Sequence, residues 1–269
     1  MSLHRNGAAF ITGASSGIGA AYAQRLARRG YDLTLVARNR QRLDTLAARI
    51  SDETGRAVEV LQADLGNKED LARIETSLKQ DASLTMLVNN AGVGAAAPLL
   101  QSNVDQMEEM IKLNIVAVTR LTYAAAPAFA ARGVGTIINI SSNVAISPEV
   151  LNGVYAGTKA FVLALSQSLH RELTDKGVKV QAVLPGATST EFWNTAGMPL
   201  RDLPAGIVMT AGEMVDAALA GLDLGELVTI PSLPDISDWE AFEAARRKLM
   251  PNLSRAHPAE RYRVRPLSA

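Results

Sequence analysis

Seven short apolar runs, at residues 8–12, 32–37, 57–62, 85–89, 136–140, 178–183 and 227–230, recur between stretches of helical periodicity. The helical stretches fall at 18–29, 41–54, 68–78, 103–132, 153–174 and 212–222. The short runs are rich in Val, Ile and Leu, the pattern of strands buried on both faces. Strand–helix alternation with right-handed crossovers predicts an α/β fold, a doubly wound parallel sheet of about seven strands with helices on both faces. Gly30 and Gly177 fall where helix C-caps belong. No repeat or linker marks a second domain, so 1–269 is expected to form one domain. Two segments break the rhythm: an irregular insertion at about 187–210, and a polar extension at about 231–269 with a helical patch at 238–249.

Lys plus Arg equals Asp plus Glu at 27 each, so no net field recruits nucleic acid or an anionic membrane. The absence of cysteine removes thiolate chemistry, disulfides and Cys-based metal sites. His4, His170 and His257 are scattered without ligand spacing, so no metal is expected. The most apolar later stretch, "LTYAAAPAFAA", is bounded by Arg120 and Arg132 and reads as too short to span a bilayer. A cytoplasmic location is expected.

The first apolar run leads directly into "TGASSGIG" and then a helix. Glycines at 13, 17 and 19 permit a tight turn and close approach of backbone N–H groups, and the helix N-terminus behind them suits a pyrophosphate. Thr12, Ser15 and Ser16 add hydroxyl donors. The second strand of an NAD-binding unit usually ends in a carboxylate that accepts from the ribose 2′-OH. Here Ala37 ends the strand and Arg38 follows, with Arg40 and Arg42 close by. A guanidinium grips a 2′-phosphate that a carboxylate would repel, so NADP(H) is expected over NAD(H).

The stretch "GVYAGTKAF" sets Tyr155 and Lys159 one helical turn apart, on one face. A cation beside a phenol lowers its pKa and makes a proton donor and acceptor. A surface tyrosine stacking on a lysine stem has the same spacing.

Taken in order, "TGASSGIG", "NNAG", "NISS", "YAGTK" and "LPGATST" resemble the successive signatures of the short-chain dehydrogenase/reductase family over roughly 8–230. The resemblance implies a Rossmann-type sheet and a nicotinamide cofactor. It implies that Tyr155 is the general acid or base of carbonyl–alcohol interconversion. Lys159 then lowers the tyrosine pKa and holds the nicotinamide ribose. The family's serine lies about thirteen residues before the tyrosine, which selects Ser142 over Ser141. A hydroxyl there can donate to the developing alkoxide. Asn114, an awkward residue inside a long helix, is implied to relay protons through a water to Lys159 at a local helix irregularity.

For the cofactor, the resemblance implies contacts at Gly13, Ser15, Ser16, Gly17, Ile18, Gly19 and Arg38. Asp64 would reach the adenine amino group, with Leu65 beside it. Asn90, Ala91 and Gly92 would line the adenosine side, and Pro185, Gly186 and Thr188 the carboxamide. The 187–210 segment becomes a substrate lid, whose apolar residues suggest a small apolar carbonyl or alcohol substrate. The broad apolar faces of 103–132 and 153–174 match the family's homodimer or homotetramer contacts. Two alternatives stay open: a family member acting on another bond, such as an enoyl reductase or epimerase, and a non-catalytic nucleotide sensor.

Overall fold

The computed structural model describes residues 6–262. It divides into two compact units, Met1–Pro231 and Ser232–Ala269. The first contains a seven-stranded parallel sheet in the order β3-β2-β1-β4-β5-β6-β9. Its strands are β1 (Ala8–Thr12), β2 (Asp32–Ala37), β3 (Val58–Gln62), β4 (Leu84–Asn89), β5 (Gly135–Ile140), β6 (Val178–Val183) and β9 (Val228–Thr229). The strand order reverses between β1 and β4, the topological switch point at whose carboxyl edge open α/β sheets bind ligands.

Alternation along β1 shows how the sheet separates two cores. Ala9 and Ile11 face one way, against α1 (Gly17–Arg28), α2 (Arg40–Thr54) and α8 (Ala211–Leu224), with Tyr22, Leu26, Leu43 and Leu219 buried there. Phe10 faces the other way, toward α3 (Lys68–Gln80), α5 (Val118–Arg132) and α6 (Gly153–Leu173). Asparagines start three helices that shape the cleft: Asn39 caps α2, Asn103 caps α4 (Val104–Ile111) and Asn152 caps α6, each accepting from main-chain N–H groups of the first turn.

The helical stretch expected at 103–132 is not uniform. Between α4 and α5 lies a π-helical turn, Lys112–Ala117, with Asn114 buried inside it. Such widened turns are frequent at functional sites. The whole run, Val104–Arg132, is 29 residues with a mean hydropathy of 1.2 in its most apolar window, so it is long enough to cross a membrane. The apolar helical run therefore extends well beyond "LTYAAAPAFAA". In this fold Leu121, Ala125 and Phe129 of the run lie in the core beneath the sheet.

The irregular insertion is also more ordered than expected. It leaves the sheet through β7 (Thr188–Ser189), forms α7 (Phe192–Ala196), and returns through β8 (Met209–Thr210). β7 and β8 pair in parallel, Thr188 with Met209 and Ser189 with Thr210, which closes the excursion at its base. In the second unit, α9 (Ile236–Lys248) carries a stacked Trp239–Phe242 pair and a Glu243–Arg246 ion pair.

A buried polar chain ties the centre of the sheet to the helices that carry the site. Asn89 Nδ2 donates to Asn139 Oδ1 (2.9 Å) and to Thr122 Oγ1 (3.1 Å), Asn139 Nδ2 donates to Ser166 Oγ (2.9 Å), and Ser166 donates to the Val162 carbonyl (2.8 Å). All four side chains are buried, so any broken link leaves polar atoms without water. Asn139→Ala is expected to lower the unfolding free energy by about 2 kcal/mol, measured by urea denaturation. A loss below roughly 0.5 kcal/mol would show that the chain is not a structural tie.

Candidate active site

The cleft lies at the carboxyl edge of the sheet and has a volume of about 650 Å³. Its floor begins where β1 turns into α1. Gly13 has φ +66° and Gly17 φ +54°, and a Cβ on Gly19 would lie 2.3 Å from the Gly13 carbonyl oxygen. These glycines leave the main chain bare toward the cleft, and Ser15, Ser16, Gly17 and Ile18 line it. Gly19 does not. It is buried, and its small size serves the packing of helix against turn.

Thr12 is likewise turned inward. Its hydroxyl donates to the Val88 carbonyl (3.3 Å) and accepts from the N–H groups of Asn90 and Ala91, each 3.0 Å away. The expected phosphate donor is a rivet between β1 and β4. Asn90 completes the rivet, its amide donating to the carbonyls of Thr12 (2.8 Å) and Gly13 (3.2 Å). Asn90, Ala91 and Gly92 still line the cleft, as do Asp64, Leu65, Pro185, Gly186 and Thr188. One Asp64 carboxylate oxygen accepts from the Gly66 N–H (2.9 Å) and closes a turn.

At the end of β2, Arg38 is exposed at the cleft edge, and Gln62 Nε2 donates to its carbonyl (3.1 Å). Arg42 also lines the cleft and pairs with Glu191 at 2.6 Å, across 149 residues of chain. Nothing local in the sequence indicates so distant a partner for Arg42.

The other end of the cleft holds the Tyr155–Lys159 pair, both buried on α6. Lys159 Nζ donates to the Ile140 carbonyl (2.9 Å) and lies 5.8 Å from the centre of the Tyr155 ring. Burial pulls the Lys159 pKa down to about 8, and burial pushes the Tyr155 phenol up to about 12, opposed by a hydrogen bond with Ser142. In the chain by itself the phenol therefore stands above its ordinary value, the direction opposite to the one expected, because exclusion of water dominates.

Ser141 and Ser142 diverge at the end of β5. Ser141 Oγ donates to the Lys159 carbonyl (2.7 Å) and ties α6 to the strand. Ser142 Oγ lies beside Tyr155, with Asn143 Oδ1 at 3.2 Å and the Pro185 carbonyl at 3.4 Å. Asn114 does not line the cleft. Its amide accepts from the Val93 N–H (3.0 Å) and donates to the Val93 carbonyl (2.9 Å) and Thr158 Oγ1 (3.1 Å). It clamps the loop after β4 from below, and a Cβ on Gly92 would lie 3.1 Å from Asn114 Oδ1 and 3.6 Å from Lys159 Nζ.

Sequence reasoning missed Asn152, which accepts from the N–H groups of Val154 and Tyr155 and donates to the Ala97 carbonyl (2.7 Å). It fixes the start of the helix that presents the tyrosine. The signal was available: an Asn directly before a helical stretch is a strong N-cap. Among the described residues, no group of three His, Asp or Glu comes together to hold a metal.

The family model described as short chain dehydrogenase matches residues 7–199. A very-long-chain 3-oxoacyl-CoA reductase of Anas platyrhynchos is 37% identical over 189 residues, covering 68% of this chain and 60% of that protein's length. The human 17-beta-hydroxysteroid dehydrogenase type 3 is 34% identical over 221 residues, 81% of this chain and 68% of that one. Among solved structures, a short-chain dehydrogenase from Sphingobium yanoikuyae in complex with NADPH is 51% identical, with a TM-score of 0.93 over 96% of this chain and 100% of that one. A bulky-bulky ketone specific alcohol dehydrogenase from Comamonas testosteroni is 47% identical, with a TM-score of 0.88 over 96% and 99%.

The buried amine has a measurable consequence. Below about pH 8, Lys159 is charged in both the folded and unfolded chain. Between about 8 and its ordinary 10.5, the unfolded chain holds a proton that the folded one has released. Stability therefore rises with pH across that window. The unfolding free energy of the unaltered protein, relative to Lys159→Met, is expected to be flat below about pH 8 and to climb above it. A flat difference up to pH 10 would contradict the burial of a depressed amine.

Proposed function

Because the chain belongs to the short chain dehydrogenase family, we propose that it is an NADP(H)-dependent oxidoreductase that interconverts a ketone and a secondary alcohol. The observation that carries this reading is the convergence of Tyr155, Ser142 and Lys159 at one end of a cleft whose other end presents Arg38 and Arg42. The residues present fit a dinucleotide. Gly13 and Gly17, both at positive φ, line the cleft with main chain, and no carboxylate ends β2. Bound there, the nicotinamide cofactor supplies or accepts the hydride.

In the reduction direction, the Tyr155 phenol holds a proton through neutral pH, ready for the carbonyl oxygen. Ser142 hydrogen-bonds the phenol and offers a second donor to the developing alkoxide. Lys159 is the residue to hold the nicotinamide ribose, and its charge would aid the phenol's loss of a proton. Asn114 fixes the Gly92 loop above it, and holding a water that relays protons toward Lys159 is the role that the family resemblance gives it. Arg38 is the residue to grip the 2′-phosphate, supported by the NADPH complex of the Sphingobium relative.

The substrate end of the cleft is walled by Val93, Val144, Leu151, Phe192, Met198 and Leu203. The cationic lining residues are Arg38, Arg42 and Lys159, none of them positioned to anchor the far end of an anionic substrate. This favours a neutral ketone with apolar groups over an acyl-CoA, and the Comamonas relative is itself named as specific for bulky-bulky ketones.

The reading is tested with purified protein, NADPH and aryl ketones. Tyr155→Phe is expected to lower kcat by about 10²–10⁴-fold while NADPH still binds. Retention of full activity would remove the acid–base assignment. Arg38→Gln is expected to weaken NADPH binding about 10–100-fold and to leave NADH binding within about twofold, read by calorimetry. Equal losses for both cofactors would contradict the phosphate clamp.

A further inference from the structure

Gly94 has no conformational need to be glycine, because its φ lies outside the left-handed range that disfavours side chains. What excludes a side chain there is a single neighbour. A Cβ on Gly94 would lie 2.2 Å from Phe192 Cζ, 2.8 Å from Cε2 and 3.1 Å from Cε1, the three nearest atoms to it. The Phe192 ring therefore seats in a notch left open by Gly94.

The same ring faces Tyr155, with centroids 5.8 Å apart at 46°, and meets Trp193 edge-on at 5.5 Å. It belongs to the small apolar cluster of Met107, Met110, Val144 and Tyr155. Two further bonds hold α7 in place around it. The Ala96 N–H donates to the Ala196 carbonyl (2.9 Å), and Trp193 Nε1 donates to the Thr188 carbonyl (2.8 Å). The ring is thus a fixed wall of the cleft beside the proton donor.

We infer that Phe192, seated in the Gly94 notch, sets the size of the carbonyl substituent that the cleft accepts on the Tyr155 side. The inference rests on the ketone-reductase reading above and assigns its specificity to one ring and one glycine. Removing the ring enlarges that side of the cleft. Adding a methyl at Gly94 drives the ring out of its notch into the space beside Tyr155 and narrows it.

The test compares kcat/KM for benzophenone and acetophenone, which differ in one substituent. Phe192→Ala is expected to raise the benzophenone-to-acetophenone ratio by about tenfold or more, and Gly94→Ala to lower it by about fivefold. In the Phe192→Ala background, Gly94→Ala is expected to change the ratio by less than about twofold, because the ring it displaces is gone. A second readout needs no turnover. In a Trp239→Phe background Trp193 is the remaining tryptophan, and its emission is expected to shift on Gly94→Ala but not on Gly94→Ala added to Phe192→Ala. Ratios unchanged by either substitution in an active enzyme would overturn the assignment to Phe192, as would an emission shift that persists without the ring. Failure of the unaltered protein to oxidise NADPH with either ketone would count first against the ketone-reductase reading and would take the specificity role with it.

Discussion

The hydroxyl of Thr12 accepts the N–H groups of both Asn90 and Ala91, while the Asn90 amide returns to the carbonyls of Thr12 and Gly13. This rivet joins the carboxyl ends of β1 and β4, the two strands between which the sheet reverses its order. Two of the loops that form the cleft, those after β1 and β4, are fixed by it. The glycine turn after β1 has its shape because Asn90 occupies the space a Cβ on Gly13 would need. Directly beyond it, the loop after β4 is held by Asn114 through both polar groups of Val93. Without these side chains the loops after the two strands would diverge, since parallel strands share no hairpin to hold their ends.

Burial then decides the electrostatics of the chemical end. Tyr155 and Lys159 are close enough for a charge effect, yet both move toward their neutral forms because water is excluded from them. The neutral phenol keeps its proton and can donate a hydrogen bond into the cleft. Lys159, with its amine held at the Ile140 carbonyl, is pulled down to about 8 and keeps its charge only below that pH. An anionic dinucleotide nearby would favour its charged form, so binding and protonation are coupled.

Much of this was legible in the chain. β1, β2 and β6 have the bounds that the apolar runs indicated, because strands with most positions buried are mostly apolar. The residues expected around the cofactor lie on one cleft, apart from Thr12 and Gly19, which support it from behind. What escaped depends on distance in sequence. Thr12 looked like a ligand donor because its acceptor and donors lie 76–79 residues away. The Arg42–Glu191 pair and the Phe192–Gly94 contact likewise join segments that no local pattern connects. The π-helical turn is the local irregularity that the resemblance implied at Asn114, a place where Asn is a poor helix former. The pairing of β7 with β8 joins two-residue strands, too short for any periodicity to register.

The most direct test of the electrostatic account is an ultraviolet titration of tyrosinate in the free protein and in Tyr155→Phe. With the phenol buried and its pKa near 12, the two curves are expected to superimpose below about pH 11 and to separate only above it. An ionisation near neutral pH that is present in the unaltered protein and missing from Tyr155→Phe would contradict the account. It would mean that the lysine charge, and not burial, governs the proton at the centre of the site.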